Sequence, residues 1–572
     1  MCTDWFRSTR RLSSLALLLI LLTAGSALAD NSKISPDLLP LLANPSNQVN
    51  VIVQYNNPPQ TCSPGPLGLG GLICTVVKIV GGVVKTVFAL INAVAATLTA
   101  QSVIDLSNQS NVAYISLDRP VASMLDLTRD ATGADYAFQS GYTGAGVGIA
   151  VIDSGIYAHP DLASRIVYRQ SFVPKTNDDD YGHGTHVAGI AAGSGASSTG
   201  PQFTRTFRGI APGANLIDLR VLDAHGMSSD SVVIAAIEQA VALKARYNIR
   251  VINLSLGREV RESYNLDPIC REVAAAWKQG IVVVIAAGNL GRNGNATILS
   301  PGNSPYAITV GAMKTEGTPS TNDDKIASYS SKGPTWIDLG VKPDIVAPGN
   351  MVDSLLAPGS TLLQEYPANL VPLSAYSQSA TSGTPEYFQL SGTSMATPVV
   401  SGAAAILLQR EPGLSPDTVK ARLMKTASKN FPLTSYAVDP TTGQVYTSTY
   451  DIFTVGAGYL NIPAALNNHD NASGAALSPS VTWNPFLNTA ILMKAWGSTW
   501  DNNLWSLSNV WGSQVVYSIN GSSAAWGDSG AWASSAAWGD SGQWGTSAAW
   551  GDSGSSATSA AWGDSIGGRG EQ

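Results

Sequence analysis

Short apolar runs rich in β-branched residues alternate with segments of helical periodicity between residues 146 and 310. Continuous apolar runs are typical of strands buried on both faces, and their alternation with helices indicates a parallel sheet. We therefore predict an α/β fold with a mostly parallel central sheet covered by helices on both faces. Buried strands are expected at residues 147–152, 216–221, 251–254, 281–286 and 307–310. Helices are expected near residues 231–245, 267–279, 394–409 and 415–427.

The composition excludes several classes of protein. The chain has 572 residues, of which 44% are hydrophobic, enough for a large core and for more than one domain. Its formal net charge of −7 offers no basic surface to phosphate backbones, so nucleic-acid binding is not expected. Four cysteines in a chain of this length exclude a scaffold built from disulfides, and none has zinc-ribbon spacing.

The first 29 residues have the layout of a secretory signal peptide. Three arginines precede the apolar run 15–22, and residues 27–29 (ALA) supply a small-residue cleavage site. A membrane anchor needs about 20 unbroken apolar residues, and this run is shorter. The protein is therefore predicted to be secreted or extracellular.

Residues 30–127 are predicted to form a small α+β unit. Strands are expected at 49–55 and 112–117. The apolar stretch between them is broken by lysines and an asparagine, so it predicts an amphipathic helix near residues 86–99 and no membrane span. Cys62 and Cys74 lie in the same unit, and the sequence does not decide whether they pair.

Three short segments carry residues capable of nucleophilic catalysis. Asp153 ends the first predicted strand of the sheet, where ligands bind in open α/β folds, although an aspartate there also commonly caps a turn. His183 and His186 begin a helical segment, but they lack the acidic residue of a helical zinc motif, and no metal site is predicted. Ser394 opens an apolar helix, where a serine either caps the helix or serves as a nucleophile beside backbone N–H groups.

The order Asp153, His183 and Ser394, with the residues around each, resembles the subtilisin-like serine peptidases, or subtilases. The similarity covers about residues 135–430 and includes further segments in the order of the family. These segments are DSGI at 153–156, HPDL at 159–162, GHGTHVAG at 182–189, GIAPGA at 209–214, NLSLG at 253–257, AAGN at 286–289, KPDIVAPG at 342–349 and SGTSMATP at 391–398.

The resemblance implies acyl transfer that needs no cofactor. Ser394 would attack the peptide carbonyl, and His183 would accept its proton and later deliver it to the leaving amine. Asp153 would orient the imidazole, and Asn289 would donate its side-chain amide to the oxyanion.

The resemblance also implies where the substrate binds. Ser255, Leu256 and Gly257 would line the specificity pocket and pair with extended substrate backbone, which favours broad specificity with apolar residues before the cut. Residues 193–207 lack the oxygen-rich pattern of the family's calcium loop, and structural calcium elsewhere stays open with no ligands assigned. Residues 349–392 look longer than in a minimal subtilase and predict an extra loop near Ser394.

The unit at 30–127 resembles the inhibitory propeptides of the family, notably at residues 49–55 and 111–121. The resemblance implies a unit that assists folding and blocks the active-site cleft until self-cleavage between about residues 121 and 137. The Gly- and Pro-rich insert around Cys62 and Cys74 departs from that pattern.

Tryptophan follows a six-residue period beyond residue 520. The positions in one phase are Trp526, Trp532, Trp538, Trp544, Trp550 and Trp562. Such a repeat either stacks as a β-solenoid or forms a low-complexity tail, and we favour the tail. GDSG at 527–530, 539–542 and 551–554 mimics the nucleophile motif of chymotrypsin-like proteases, but copies within a repeat cannot each be an active site.

The predicted organisation is a signal peptide (1–29), an inhibitory propeptide (30–127), a peptidase domain (128–467), a linker or Trp-rich spacer (468–520) and a hexapeptide-repeat tail (521–572). The expected function is that of a secreted serine endopeptidase, made as a self-processed zymogen, that cleaves polypeptides through an acyl-enzyme on Ser394. Its own propeptide would be its inhibitor. The tail would either bind the cell envelope or glycan or be a low-complexity segment with no partner. The alternative is an exported surface-binding protein with an inert peptidase domain.

Overall fold

The structure is a computed structural model that describes residues 30–35, 38–57, 83–88, 93–117, 124–174, 178–378, 383–439, 443–484 and 489–512. The chain divides into two compact units, Met1–Val121 and Ala122–Gln572. The predicted signal peptide, Cys62, Cys74 and the tryptophan repeat beyond residue 520 lie outside the described residues.

An antiparallel four-stranded sheet forms the first unit. Its strands, in the order β2-β3-β1-β4, are β1 (Gln48–Tyr55), β2 (Val83–Phe88), β3 (Ala93–Thr99) and β4 (Val112–Leu117). Helix α1 (Ala100–Ser107) contributes Val103 and Leu106 to a core shared with Val51 and Val53 of β1. The strands predicted at 49–55 and 112–117 are confirmed as β1 and β4.

The helix predicted near residues 86–99 is wrong, because β2 and β3 occupy most of that stretch. Val94, Ala96 and Leu98 of β3 are all buried, which is the period-two pattern of a half-buried strand. The helix begins only at Ala100, where the Thr99 hydroxyl accepts a hydrogen bond from the Ser102 backbone N–H.

An eight-stranded sheet forms the centre of the second unit, and all its strands are parallel except β11. The order is β11-β10-β9-β8-β5-β7-β6, with β12 also pairing with β10. The strands are β5 (Gly148–Asp153), β6 (Ile166–Ser171), β7 (Asn215–Arg220), β8 (Ile249–Leu254), β9 (Val282–Ala286), β10 (Ile308–Lys314), β11 (Lys325–Ile326) and β12 (Ile345–Pro348). The five predicted buried strands are confirmed as β5, β7, β8, β9 and β10. Every residue of β5, β9 and β10 is buried, so both faces of the sheet are covered.

The α-helices described in the second unit are α2 (Met124–Thr132), α3 (Ala134–Gln139), α4 (His183–Ala192), α5 (Asp230–Tyr247), α6 (Pro268–Lys278), α7 (Thr361–Glu365), α8 (Thr393–Arg410), α9 (Pro416–Thr426), α10 (Ile462–Asn467) and α11 (Leu507–Trp511). The four predicted helices are confirmed as α5, α6, α8 and α9. Helix α8 is buried from Thr393 to Leu408 and packs against α4, β8, β9 and β10. In the part of the chain that the structure describes, no helix has the length and apolarity needed to cross a bilayer.

Residues between 349 and 392 form a small packed layer. Strands β13 (Val352–Leu355) and β14 (Tyr387–Leu390) pair antiparallel, and α7 lies between them in sequence. Leu362 of α7 packs in a buried cluster with Leu356, Phe388 and Tyr181, two residues before His183. This segment therefore supports the chain that leads into α4.

Residues 468–512 are not a linker. They form β17 (Ser480–Asn484), β18 (Thr489–Met493) and α11, and they place Trp500, Trp505 and Trp511 in a buried cluster with Phe453 and Met424. The indole N–H groups of the first two tryptophans donate to the backbone carbonyls of residues 477 and 471. The prediction of a linker or Trp-rich spacer at 468–520 did not include this packing, because composition alone does not show that the rings of these tryptophans are core.

A buried charge cluster ties the same segment to the sheet. The carboxylate of Asp344 lies 2.6 Å from Lys342 Nζ and 3.1 Å from Lys420 Nζ, and all three side chains are fully buried. The Ser478 hydroxyl donates to Asp344 Oδ1 at 2.7 Å and accepts from Lys420 Nζ at 2.7 Å. Buried charges persist only when they are paired and hydrogen-bonded, so Ser478 completes this cluster.

Candidate active site

The predicted catalytic residues lie where strands end and helices begin. Asp153 is the last residue of β5, and Asn289 follows β9 after a short turn. His183 is the first residue of α4, and Ser394 is the second residue of α8. The carboxyl edge of a parallel sheet is where α/β folds bind ligands, and helix N-termini favour negative charge there.

His183 and Asp153 form a buried pair. His183 Nδ1 lies 2.8 Å from Asp153 Oδ1, which also accepts a hydrogen bond from the Ser154 backbone N–H. Because a carboxylate only accepts, Nδ1 carries the proton and Nε2 is left as an acceptor. Nε2 is buried and makes no hydrogen bond with the residues that the structure describes. Burial opposes protonation of the ring, but the charge and hydrogen bond of Asp153 and the charge of Asp179 outweigh it and raise the pKa of His183.

Asp179 is a buried carboxylate that sequence reasoning missed. It accepts hydrogen bonds from the Gly182 N–H, the Ser154 hydroxyl, and the N–H and hydroxyl of Thr185, at 2.6–2.8 Å. It therefore caps the first turn of α4, which begins with His183. The Ser154 hydroxyl also accepts from the Gly184 N–H at 2.8 Å, so the loop after Asp153 and the start of α4 share one network. The sequence gives no capping signal for it, because Gly182 is the N-cap residue of α4 and Asp179 lies three residues before that position.

Ser394 is buried and hydrogen-bonds to Ser255, in the segment that follows β8. Its hydroxyl donates to the Ser255 carbonyl at 3.3 Å, and its carbonyl accepts from the Ser255 hydroxyl at 2.9 Å. The serine is thus not hydrogen-bonded to His183 Nε2 in this structure. Such bonds are often long or unformed in unliganded enzymes and close when substrate binds.

Asn289 presents an unused hydrogen-bond donor. Its Oδ1 accepts from the backbone N–H and the hydroxyl of Thr393, at 2.9 and 3.1 Å, which fixes the orientation of the amide. Its Nδ2 is buried without a hydrogen-bond partner among the described residues. A Cβ placed on Gly392 would lie 3.2 Å from this Nδ2 and 3.6 Å from the Ser394 backbone N. Two N–H groups therefore border one small space, which is the geometry of an oxyanion hole.

The predicted substrate segment directly follows β8. The Ser255 hydroxyl accepts a hydrogen bond from Asn253 Nδ2 at 3.0 Å besides its bond to Ser394. Leu256 is buried and Gly257 is half-buried. The structure therefore brings the segment beside the serine, and the Ser255 side chain holds the start of α8.

The remaining histidines of this region have structural partners. His186 Nε2 lies 2.9 Å from the Phe388 carbonyl and 3.1 Å from that of Val352, so it contacts β14 and β13. Burial, and then the neighbouring His183, lower the pKa of His186 to about 3. His159 Nε2 lies 2.8 Å from a Glu386 carboxylate oxygen. Within the described ranges, no three His, Cys, Asp or Glu side chains are grouped so that they could hold a metal ion.

Comparisons with known proteins agree with this geometry. A family model described as the subtilase family of S8 peptidases matches residues 144–450, which include the four predicted catalytic positions. Serine protease AprX of Bacillus subtilis (strain 168) is 40% identical over 359 residues, which cover 60% of this chain and 76% of that protein. Subtilisin NAT of Bacillus subtilis subsp. natto is 35% identical over 356 residues, or 61% of this chain and 78% of the relative. The thermophilic serine proteinase of Bacillus sp. (strain AK1) is 33% identical over 301 residues, or 52% and 60%.

Proposed function

This chain belongs to the subtilase family and is a serine endopeptidase, and from that premise we propose a secreted enzyme, made as a zymogen, that forms its acyl-enzyme on Ser394. One observation carries the assignment of the site. The buried His183–Asp153 pair leaves Nε2 as an acceptor, while Asn289 Nδ2 and the Ser394 N–H both face the position that a Cβ on Gly392 would take. An inert surface-binding protein would have no need of either arrangement.

In the first half-reaction, the Ser394 hydroxyl attacks the peptide carbonyl and transfers its proton to His183 Nε2. Asp153 and Asp179 stabilise the imidazolium, since their negative charges raise the pKa of the ring. Asn289 Nδ2 and the Ser394 N–H receive the oxyanion. His183 then protonates the leaving amine, and the acyl-enzyme remains on the serine.

In the second half-reaction, water takes the place of the amine. His183 accepts a proton from the water, which attacks the acyl carbonyl, and the same two N–H groups hold the second oxyanion. The proton returns to Ser394 as the acid product leaves. Subtilases need no cofactor for these steps. No residue is proposed as a calcium ligand.

Extended polypeptides are the proposed substrates. Ser255, Leu256 and Gly257 would pair with the substrate backbone on the acyl side of the cut, with broad specificity and a preference for apolar side chains. Support comes from the position of this segment, whose Ser255 exchanges hydrogen bonds with Ser394.

Residues 30–127 are proposed to be the inhibitory propeptide, removed by self-cleavage. The interval 121–137 that the sequence gives for the cut is largely taken up by α2 and α3. A protease binds its substrate in an extended form, so a bond within either helix would be cut only after the helix unwinds.

The proposal is tested by intact-mass analysis of secreted wild type beside Ser394→Ala, with a casein assay on both. Wild type should lose roughly a hundred N-terminal residues and cleave casein, while the variant should remain uncut and inactive. Ser508→Ala, an exposed serine on α11, is the control and should behave as wild type. Identical processing of Ser394→Ala would overturn self-cleavage, and retained casein cleavage would overturn the role of Ser394.

The repeat tail is proposed to hold the enzyme at the cell envelope or on glycan, because aromatic faces stack on sugar rings and apolar surfaces. Ending the chain after Asn520 should lower the fraction of enzyme bound to cells. Unchanged retention would exclude this role for the tail.

A further inference from the structure

Strands β15 (Thr434–Val438) and β16 (Val445–Thr449) form a hairpin with one exposed, uncharged face. Three cross-strand pairs build this outer hairpin face: Thr434 with Thr449, Tyr436 with Thr447, and Val438 with Val445. Tyr436, Val438 and Val445 are 72%, 44% and 58% exposed, and Leu433, just before β15, is 73% exposed. The face is thus a contiguous apolar and β-branched surface open to solvent.

The opposite face of the hairpin already has its partners. Ala437 and Ser448 are buried there, and the Ser448 hydroxyl accepts a hydrogen bond from Lys332 Nζ at 3.1 Å. In the described part of the chain, β15 and β16 pair only with each other. A two-stranded sheet is marginal by itself, and proteins normally protect such strands with charged side chains. The outer hairpin face has no charged side chain, which indicates a surface that another segment covers.

The last described residue, Gly512, lies beside Lys429, five residues before β15. A Cβ placed on Gly512 would lie 3.4 Å from Lys429 Cγ. Lys429 precedes Thr434 by five residues, and an extended chain spans at most about 3.5 Å per residue, so β15 begins within roughly 18 Å of Lys429. A segment of similar length after Gly512 is therefore long enough to span the distance to the start of β15.

The sequence after Gly512 has the composition that such a face requires. Val515, Tyr517 and Ile519 alternate with other residues, as in a strand with one apolar side, and Trp526 and Trp532 follow. Between residues 513 and 532 the only charged residue is an aspartate. We propose that residues 513–532, the exit segment, lie against the outer hairpin face and bury Tyr436, Val438 and Val445.

Tethering favours the exit segment over a second copy of the chain. A segment joined by a few residues is present at an effective concentration in the millimolar range, far above the concentration of a secreted protein. Docking would fix the origin of the repeat tail on the catalytic unit, so the later tryptophans project from one place on its surface.

Hydrogen exchange tests the proposal on the full chain carrying Ser394→Ala, which prevents self-digestion. Replacing the exit segment's apolar residues by Tyr517→Ser and Trp526→Ser should speed exchange of the β15 and β16 amides about tenfold or more. Trp562→Ser, at the far end of the same tail, is the matched control and should leave that exchange unchanged. Equal hairpin exchange in all three chains would overturn the proposal.

The reciprocal experiment changes the hairpin instead of the exit segment, with substitutions that keep the strand propensity of β15. Tyr436→Thr with Val438→Thr should speed amide exchange in residues 513–520 to a similar degree. Leu266→Thr, a leucine 68% exposed ahead of α6, is the control for loss of a surface hydrophobe. Light scattering distinguishes a second copy of the chain from the exit segment as the occupant. If the hairpin amides become more protected as protein concentration rises, and the mass doubles, a second copy covers the face. That result would overturn docking of the exit segment.

Discussion

The two sides of the active site differ in the kind of polar group that each leaves without a hydrogen bond. On the histidine side, Asp153 and Asp179 accept hydrogen bonds from His183, Ser154 and the first turn of α4, and His183 Nε2 is left as a buried acceptor. On the proposed oxyanion side, Asn289 is held through Oδ1 while its buried Nδ2 is a donor with no partner among the described residues. Leaving buried polar groups unused costs free energy in the resting enzyme, and in the proposed mechanism the Ser394 proton and the oxyanion recover it. The fold thus holds both side chains by their other polar atoms and leaves one acceptor and one donor for the proposed reaction.

The largest loss is expected when the histidine side loses its orienting carboxylate. Asp153→Asn keeps the shape but offers an amide to the imidazole, which then takes the wrong tautomer. Turnover of a chromogenic peptide should fall about 10⁴-fold, the loss known for this substitution in other serine proteases. A decrease below tenfold would show that Asp153 does not set the tautomer of His183.

A smaller loss is expected from the oxyanion side. Asn289→Ala removes the unused donor, and kcat should fall about 10²- to 10³-fold with KM little changed, as known for such a donor in subtilisin. Asn295→Ala, whose side chain donates only to the Gly333 carbonyl, is the control and should retain activity. A rise in KM at constant kcat would instead place Asn289 in ground-state binding.

Loosening the hold on the Asn289 amide should lower kcat less than removing the amide does. Thr393→Val keeps the volume of the side chain and the backbone hydrogen bond to Asn289 Oδ1. It removes the hydroxyl, which donates to Asn289 Oδ1 at 3.1 Å and accepts from the Gly288 N–H at 3.1 Å, and only the first of these bonds holds the amide. One hydrogen bond contributes about 1 kcal/mol, so kcat should fall about fivefold. An effect as large as that of Asn289→Ala would mean that the hydroxyl alone orients the amide.

The smallest expected effect is on the pH profile. Asp179→Asn removes a negative charge that raises the pKa of His183, so the acidic limb of kcat/KM should move to lower pH. Asp180→Asn, a neighbouring carboxylate 2.9 Å from Arg220, is the control and should leave the limb in place. An unmoved limb in Asp179→Asn, with only lower stability, would reduce Asp179 to a helix cap.

Sequence reasoning succeeded where a local pattern decides the structure. The strands and helices of the central sheet have long apolar periods. The short, distinctive segments around Asp153, His183, Asn289 and Ser394 lie within the residues that match the subtilase family, while the roles of these four residues stay predictions. It failed where tertiary contacts decide. Residues 93–99 have apolar positions that suit either a helix or a strand, and pairing with β1 selects the strand.

Asp179 shows a further limit of the sequence. Its role depends on Ser154, which is distant in sequence and is brought close only by the β5 and α4 loops. Likewise, the tryptophans at 500, 505 and 511 resemble those of the repeat in composition, and only the packing around Phe453 and Met424 separates them from it.

The contact between Ser478 and Asp344 has a consequence for the timing of synthesis. The two residues are 134 positions apart, and the hydroxyl is needed before the buried carboxylate and its two lysines are fully hydrogen-bonded. Because a chain emerges from its N-terminus, the four proposed catalytic residues are all synthesised before Ser478, and the buried charge cluster cannot be completed until residue 478 has emerged.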